Sequence, residues 1–160
     1  MKSIINFLLV YFSLFLMPMY GQTVHFKSLT TDNGLSQISV NSIFQDENRL
    51  VWIGTRDGLN RYDGQNIRIF KLEKNNPNSL FCNNVLQITG NKKGRLFLRC
   101  TEGICAFDFR TEQFRVLATG DYGAILYKDE LYIARKNEIY IWNDSIGRYE
   151  FFYQLLPKGA

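Results

Sequence analysis

From residue 40 onward, short apolar runs alternate with turn-forming residues, and the runs are too short and too rich in β-branched and aromatic side chains for helices. Leu50-Val51-Trp52-Ile53-Gly54-Thr55 leads into Arg56-Asp57-Gly58 and then Leu59-Asn60-Arg61-Tyr62-Asp63. The same order returns, without a gap, in residues 95–100, 101–103 and 104–108, and again in residues 130–135, 136–138 and 139–143. Trp52, Phe97 and Tyr132 fall in register, as do Tyr62-Asp63, Phe107-Asp108 and Trp142-Asn143, at offsets of 45 and 35 residues. Each block predicts a β-hairpin. Asp57-Gly58 is a favoured type I′ pair and Glu102-Gly103 a weaker one, while Asn137-Glu138 predicts a looser or longer turn because Glu tolerates positive φ poorly. One further strand precedes each hairpin (residues 40–44, 85–89 and 124–127) and another follows it (residues 67–72, 113–117 and 149–153).

Four antiparallel strands in each repeat of 35–45 residues are the signature of a propeller blade. Apolar residues on both faces, as in Val51-Trp52-Ile53, fit sheets covered on both sides rather than one-sided sheets that alternate strictly. A sandwich of about a dozen strands is the other all-β arrangement, but it gives no reason for motifs to recur at matching positions. The fold class is therefore all-β, a partial β-propeller of about three four-stranded blades. The divisions are residues 22–34 as an N-terminal segment, 35–79, 80–118 and 119–156 as blades, and 157–160 as a tail. Within the first segment, residues 24–29 are apolar enough to predict a strand that closes the last blade of a ring.

Ahead of the repeats, Lys2 is followed by an apolar run over residues 4–17, broken only by Asn6 and Ser13, then by Pro18. A short basic start, such a run and a small residue before polar sequence describe a secretory signal peptide over residues 1–21, cut after Gly21 to leave Gln22. The run is short for a membrane span, which takes about 20 residues; an uncleaved anchor is the alternative, and both place the repeats outside the cytoplasm.

Apolar residues are 46% and aromatics 15% of the chain, enough for a packed core. The net charge of +4 is not concentrated: Arg49, Arg56, Arg61 and Arg68 are interleaved with Asp46, Glu47, Asp57 and Asp63. Nucleic-acid binding needs a stripe of one sign and is not expected of this chain.

Candidate chemistry is sparse. If Glu102-Gly103 forms the turn, Cys100 faces Cys105, close enough for a disulfide in an oxidising compartment. A pair of buried small thiols is the other reading. Cys82 completes the set of three cysteines, with no ligand set for zinc. Asp46-Glu47-Asn48 and Asp144-Ser145 read as turn formers, lacking the spacing of a calcium loop. Asp57, Asp63 and Asp108 read as architectural turn residues, not as a convergent hydrolase pair. Trp52, Tyr62, Tyr132, Tyr140 and Trp142 have the chemistry to stack on sugars, but their repeat positions point to core between blades. No catalytic, cofactor-binding or metal-binding residue is assigned, no cofactor is expected, and no ligand contact is assignable to a particular residue.

The stretch from Phe26 through Thr31-Asp32-Asn33-Gly34-Leu35-Ser36-Gln37, continuing into Trp52-Ile53-Gly54-Thr55-Arg56-Asp57-Gly58-Leu59-Asn60-Arg61-Tyr62-Asp63-Gly64, resembles the two-component regulator propeller of Bacteroidetes-type hybrid two-component sensors. That resemblance is strong over residues 26–72 and fades after residue 118. It implies a periplasmic seven-bladed propeller that senses oligosaccharides, in longer proteins anchored in the inner membrane and carrying kinase, receiver and DNA-binding regions. This chain has no kinase His motif of its own, and its one histidine, His25, precedes the first blade; it is expected not to be an enzyme. With three blades the ring is open, so the chain is expected to be a truncated or split sensor product, with further blades or a homodimer as partners. A secreted binding or scaffold propeller without a kinase is the competing expectation.

Overall fold

The structure, a computed structural model, describes residues 26–155 apart from Asp144 and the side chain of Ile125. The expected leader with its cleavage bond, the start of the 24–29 segment, His25, Asp144 and the tail therefore lie outside the described residues. No helix among the described residues is long and apolar enough to cross a membrane.

Twelve strands form three antiparallel sheets of four, each in sequential order. The first blade is β1 (Val40–Gln45), β2 (Val51–Thr55), β3 (Gly58–Tyr62) and β4 (Ile67–Phe70). The second is β5 (Val85–Asn91), β6 (Arg95–Cys100), β7 (Gly103–Asp108) and β8 (Gln113–Thr119). The third is β9 (Gly123–Tyr127), β10 (Glu130–Arg135), β11 (Glu138–Asn143) and β12 (Arg148–Gln154). Every hairpin and flanking strand predicted from the repeat is present, and the aligned aromatics Trp52, Phe97 and Tyr132 occupy the same strand of successive blades.

The central hairpins turn one residue earlier than predicted. Thr55 pairs with Gly58, Cys100 with Gly103 and Arg135 with Glu138, so the loop pairs are Arg56-Asp57, Thr101-Glu102 and Lys136-Asn137. The reason lies in φ. Gly58 and Gly103 take the positive values themselves (125° and 149°) as first residues of the returning strand, which spares Asp57 and Glu102 the left-handed conformation that a type I′ pair demands. The third turn is no longer than the others: Glu138 stands where the first two have glycine, and the positive φ (56°) falls instead on Lys136, the first loop residue.

The blades stack face to face. On blade 1, Phe44, Trp52, Arg61 and Arg68 form one row across the sheet, with Gly54, Leu59 and Phe70 in the next. Of these, Phe44, Trp52, Leu59 and Phe70 meet Leu96, Leu98, Cys105, Phe107 and Phe114 of blade 2 in a continuous apolar core. Two glycines permit the approach: a Cβ on Gly54 would stand 2.8 Å from Val85 Cγ1, and one on Gly90 would stand 2.7 Å from the Phe44 ring. A second core joins Phe97, Ile104 and Ala106 of blade 2 to Leu131 and Ile133 of blade 3.

Charge also ties blade 1 to blade 2. Glu112 accepts hydrogen bonds from Arg61 (2.8 Å) and Arg68 (2.6 Å), while Arg68 lies 4.8 Å from the centre of the Phe70 ring. The Arg61 hydrogen bond, and then that of Arg68, hold the Glu112 carboxyl below its ordinary 4.5. A carboxylate whose folded pKa is depressed contributes stability above its unfolded value and loses it as pH falls through the folded one. Glu112→Gln is therefore expected to cost no more than about 1 kcal/mol at neutral pH, since solvent screens a half-exposed pair. It should also flatten the stability profile below pH 4.5. Urea titrations of both proteins across the acid range measure this.

The described part of the segment expected to be a strand, residues 26–29, is not one. Phe26–Leu29 lacks regular structure and Phe26 is 94% exposed; its backbone adds to no ladder among the described residues. Thr31–Asn33 instead form a 3₁₀ turn, with the Asn33 carboxamide accepting from Thr30 N–H (3.2 Å) and Gly34 ending it at φ 95°. The chain then lies on the face of blade 1 away from blade 2. Ser36 N–H donates to Asn60 Oδ1 (2.8 Å), and Asn60 Nδ2 donates to Ser36 Oγ (2.9 Å) and to Ile53 C=O (3.1 Å). Asn60 is fully buried, and these bonds satisfy its amide.

Candidate functional site

The connections β1–β2, β5–β6 and β9–β10 emerge at one end of the blades, together with β3–β4, β7–β8 and β11–β12, because each sheet is a sequential meander. Repeated side-chain chemistry shapes this end. Asp46 Oδ1 accepts from the N–H groups of Asn48 (2.8 Å) and Leu50 (3.0 Å), while Oδ2 accepts from Trp52 Nε1 at 2.8 Å. Asn91 stands at the equivalent place in blade 2 and accepts from the N–H groups of Lys93 and Arg95. Phe97 replaces the tryptophan there, so no indole donor remains and a neutral amide suffices. In blade 3 the connection shortens to Lys128-Asp129, both at positive φ (51° and 64°), as a two-residue type I′ turn requires. Asp129 reaches back to accept from Lys92 N–H at 3.1 Å.

A second recurring turn lies beside the first. Asp63 accepts from the N–H groups of Gln65 and Asn66, Asp108 from those of Arg110 and Thr111, and Asn143 from that of Ser145. The Asn66 and Gln65 amides hold the Asp63 carboxyl below 3.8. For Asp108, partial burial pulls upward, but the Thr111 and Arg110 amides and nearby Arg95 outweigh it and the carboxyl again sits low. These are ionised turn anchors with no tendency to act as acids near neutral pH.

Two clefts open between the blades at this end. The first, about 300 Å³, has Phe44 and Phe109 among its walls, with Asp46, Glu47, Asn48 and Lys92 around it. The second, about 330 Å³, lies beyond the β5–β6 turn and is lined by Phe97, Trp142, Lys93, Glu130 and Glu150. Asn91 and Asp129 belong to both. Phe109 stacks nearly parallel on Trp52, with centroids 5.7 Å apart and planes at 14°. Trp142 has the Arg115 guanidinium 5.2 Å from its ring centre and Tyr149 at its edge.

The residues singled out from sequence are dispersed by the fold. Trp52 is 1% exposed inside the core, packed on Phe70 and Phe107, and is out of reach of any ligand. Tyr62 is bridged by Lys27 on the far face of blade 1. Tyr132 and Tyr140 pack edge-on against Phe152 and Phe151 of β12. Of the five aromatics, Trp142 alone lines a cleft at this end. Asp57 is not equivalent to Asp63 and Asp108; it sits in a central hairpin turn and pairs with Lys71 at 2.6 Å. Phe44, Phe109 and Asp129 were not singled out, although Phe44 and Phe109 flank the turn anchors Asp46 and Asp108 in the sequence.

Cys100 does not face Cys105. The earlier turn places Cys105 opposite Leu98 and Cys100 opposite Gly103, so the two cysteines are diagonal neighbours on one face of the sheet, with their thiols close enough to interact. Cys82, Cys100 and Cys105 are all free and buried. The Cys100 thiol, then burial, pushes the Cys82 thiol up. Cys105 does the same to Cys100, against an opposing contribution from Cys82. Thiols held protonated in this way are packing groups, unreactive at neutral pH.

Residues 34–57, from the glycine that ends the 3₁₀ turn through β1 and β2 to the central hairpin turn, match the family described as two component regulator propeller. Over that stretch the chain is similar to a two-component regulator propeller repeat. Over 79 residues, 48% of its length, this propeller is 43% identical to histidine kinase P4 of Formosa agariphila, and the match spans 6% of that protein. It also superposes on the extracellular domain of a putative hybrid two component system from B. thetaiotaomicron with a TM-score of 0.66, at 22% identity, covering 80% of this chain and 20% of the other. A second such extracellular domain from the same organism gives a TM-score of 0.60 at 16% identity, covering 77% and 18%. At these identities the solved structures speak to fold, and the fold is a partial β-propeller. The propeller spans only a small fraction of the proteins it matches.

Proposed function

We propose that this chain is the extracytoplasmic, ligand-sensing portion of a hybrid two-component signalling protein and that it responds to glycans without chemically altering them. The observation that carries the reading is the two-component regulator propeller match over residues 34–57, which falls on the first blade's own hairpin and the segment clasped to it. The extracellular relatives of the same fold support the location, and the histidine kinase relative supports a signalling output. Within the chain, the turn end supplies concave aromatic and polar surface, the usual makeup of a small-ligand site, while Asp46, Asp63 and Asp108 each anchor a turn of their own. An antibody raised against this chain should recover, from native membranes, a polypeptide that autophosphorylates on histidine at a rate altered by an added oligosaccharide. Recovery of a soluble protein without phosphorylation would replace the sensor with a scaffold. Shortening of the oligosaccharide would replace it with a hydrolase.

A further inference from the structure

The chain carries a net charge of +4, yet the two clefts at its turn end are acidic. Asp46, Glu47, Asp129, Glu130 and Glu150 line them against Lys92 and Lys93, with the Arg115 guanidinium on the Trp142 ring beside the second. The sign of this surface is thus opposite to that of the molecule. Two of the carboxylates already serve the protein: Asp46 holds its own turn and the Trp52 indole, and Asp129 accepts from Lys92 N–H. Glu47, Glu130 and the amide of Asn48 are exposed at the rim.

Beneath the rim the walls are aromatic. Phe109 has one ring face taken by Trp52 and lines the first cleft beside Phe44, while Trp142 lines the second. Flat apolar rings below carboxylates and amides suit a pyranose, whose C–H face stacks on the ring while its hydroxyl groups donate to the acceptors around it. Each cleft is at the small end of the range for ligand sites, about 300–1,000 Å³. The two adjoin across Asn91 and Asp129, so one short oligosaccharide has a subsite on either side of the β5–β6 turn.

Given the glycan-sensing reading, on which this rests, the geometry points to a neutral or amino-sugar oligosaccharide seated across both clefts, with uronate-bearing and sulfated glycans turned away by charge. Hydroxyl and ammonium groups donate to carboxylates, whereas an acidic sugar would bring like charge against them, a juxtaposition that interfaces use to reject wrong partners.

Titration calorimetry of the full chain with three hexasaccharides of equal length, one neutral, one of glucosamine and one of uronate, tests this. The neutral or glucosamine probe should bind at least about tenfold more tightly than the uronate probe. Phe109→Leu, which keeps an apolar side chain but removes the ring, should weaken the better probe about fivefold. Glu47→Lys sits on an exposed turn clear of the core, so its reading does not depend on folding; it should narrow the gap between that probe and the uronate. Tightest binding of the uronate probe overturns the inference. So does a bound neutral or amino probe whose affinity neither substitution changes, which moves the site elsewhere and leaves glycan sensing intact. Failure of all three probes to bind the folded wild-type chain overturns both readings.

Discussion

Trp52→Ala is expected to destabilise the protein by about 3–5 kcal/mol, the cost of emptying an aromatic site in a closed core. Domains are held by only about 5–15 kcal/mol, so much of the population should lose its tertiary structure under mild denaturant. The indole is 1% exposed, packs on Phe70, Phe107 and Phe109, and donates to the Asp46 carboxylate. Its removal therefore combines a cavity with a buried carboxylate oxygen that has lost its donor. The two losses separate in a cycle. Trp52→Phe keeps most of the ring contacts and should cost about 1–3 kcal/mol, chiefly through the orphaned oxygen. Adding Asp46→Asn reproduces the arrangement that Asn91 and Phe97 already make in blade 2, and the double variant should recover part of that loss. Guanidinium unfolding of the wild type, Trp52→Phe, Asp46→Asn and the double variant, followed by near-UV circular dichroism, gives the four corners of that cycle. A double-variant loss equal to the sum of the two single losses would show that the Asp46–Trp52 bond contributes nothing of its own.

Gly103→Ala is expected to cost about 3 kcal/mol or more, an unusually large penalty for one methyl group. Gly103 has φ 149°, and a Cβ there would collide with the carbonyl oxygen of Ala118 while standing 2.9 Å from Thr119 Cα. The obstacle is the backbone of β8, which cannot rotate aside as a side chain would. Gly64→Ala is the control: φ is 101° but nothing lies within 4 Å, so only left-handed strain remains, about 1–2 kcal/mol. Thermal melts of the two variants should differ clearly, and equal shifts would mean that β8 yields at Ala118.

The strands were legible because each carries its own evidence, a run of β-branched and aromatic residues between turn formers, and the repeat confirmed the reading at three places. Hairpin register was not, because Asp57-Gly58 is equally a type I′ pair and the last loop residue before a glycine that opens a strand; the pairing of Thr55 with Gly58 decides between them. The consequence for chemistry is direct, since the one-residue shift carries Cys105 away from Cys100. The apolar residues up to Leu29 suggest a strand because composition reports burial preference and says nothing of whether a ladder edge is within reach, and Phe26–Leu29 lack regular structure. The clefts were invisible for a different reason. Phe44, Glu47, Asn91, Phe109 and Asp129 come from four connections spread over three blades, each locally ordinary, and only stacking assembles them. Gly54 and Gly90 likewise look like weak points in strands until the facing blade supplies the atoms that forbid a side chain there.

Each backbone ladder stops at the boundary of its own sheet, so what joins one blade to the next is side-chain packing, side-chain bonds such as the Glu112 bridge, Asn41 to the Val85 carbonyl and Lys92 N–H to Asp129, and the connecting peptide. Amide exchange will accordingly be partitioned by module, with nearest-neighbour coupling between modules in the manner of a one-dimensional array. A protease that nicks the stretch between β4 and β8's sheet would sever covalent continuity while leaving every rung of both ladders intact, and the two pieces would stay together as a non-covalent pair.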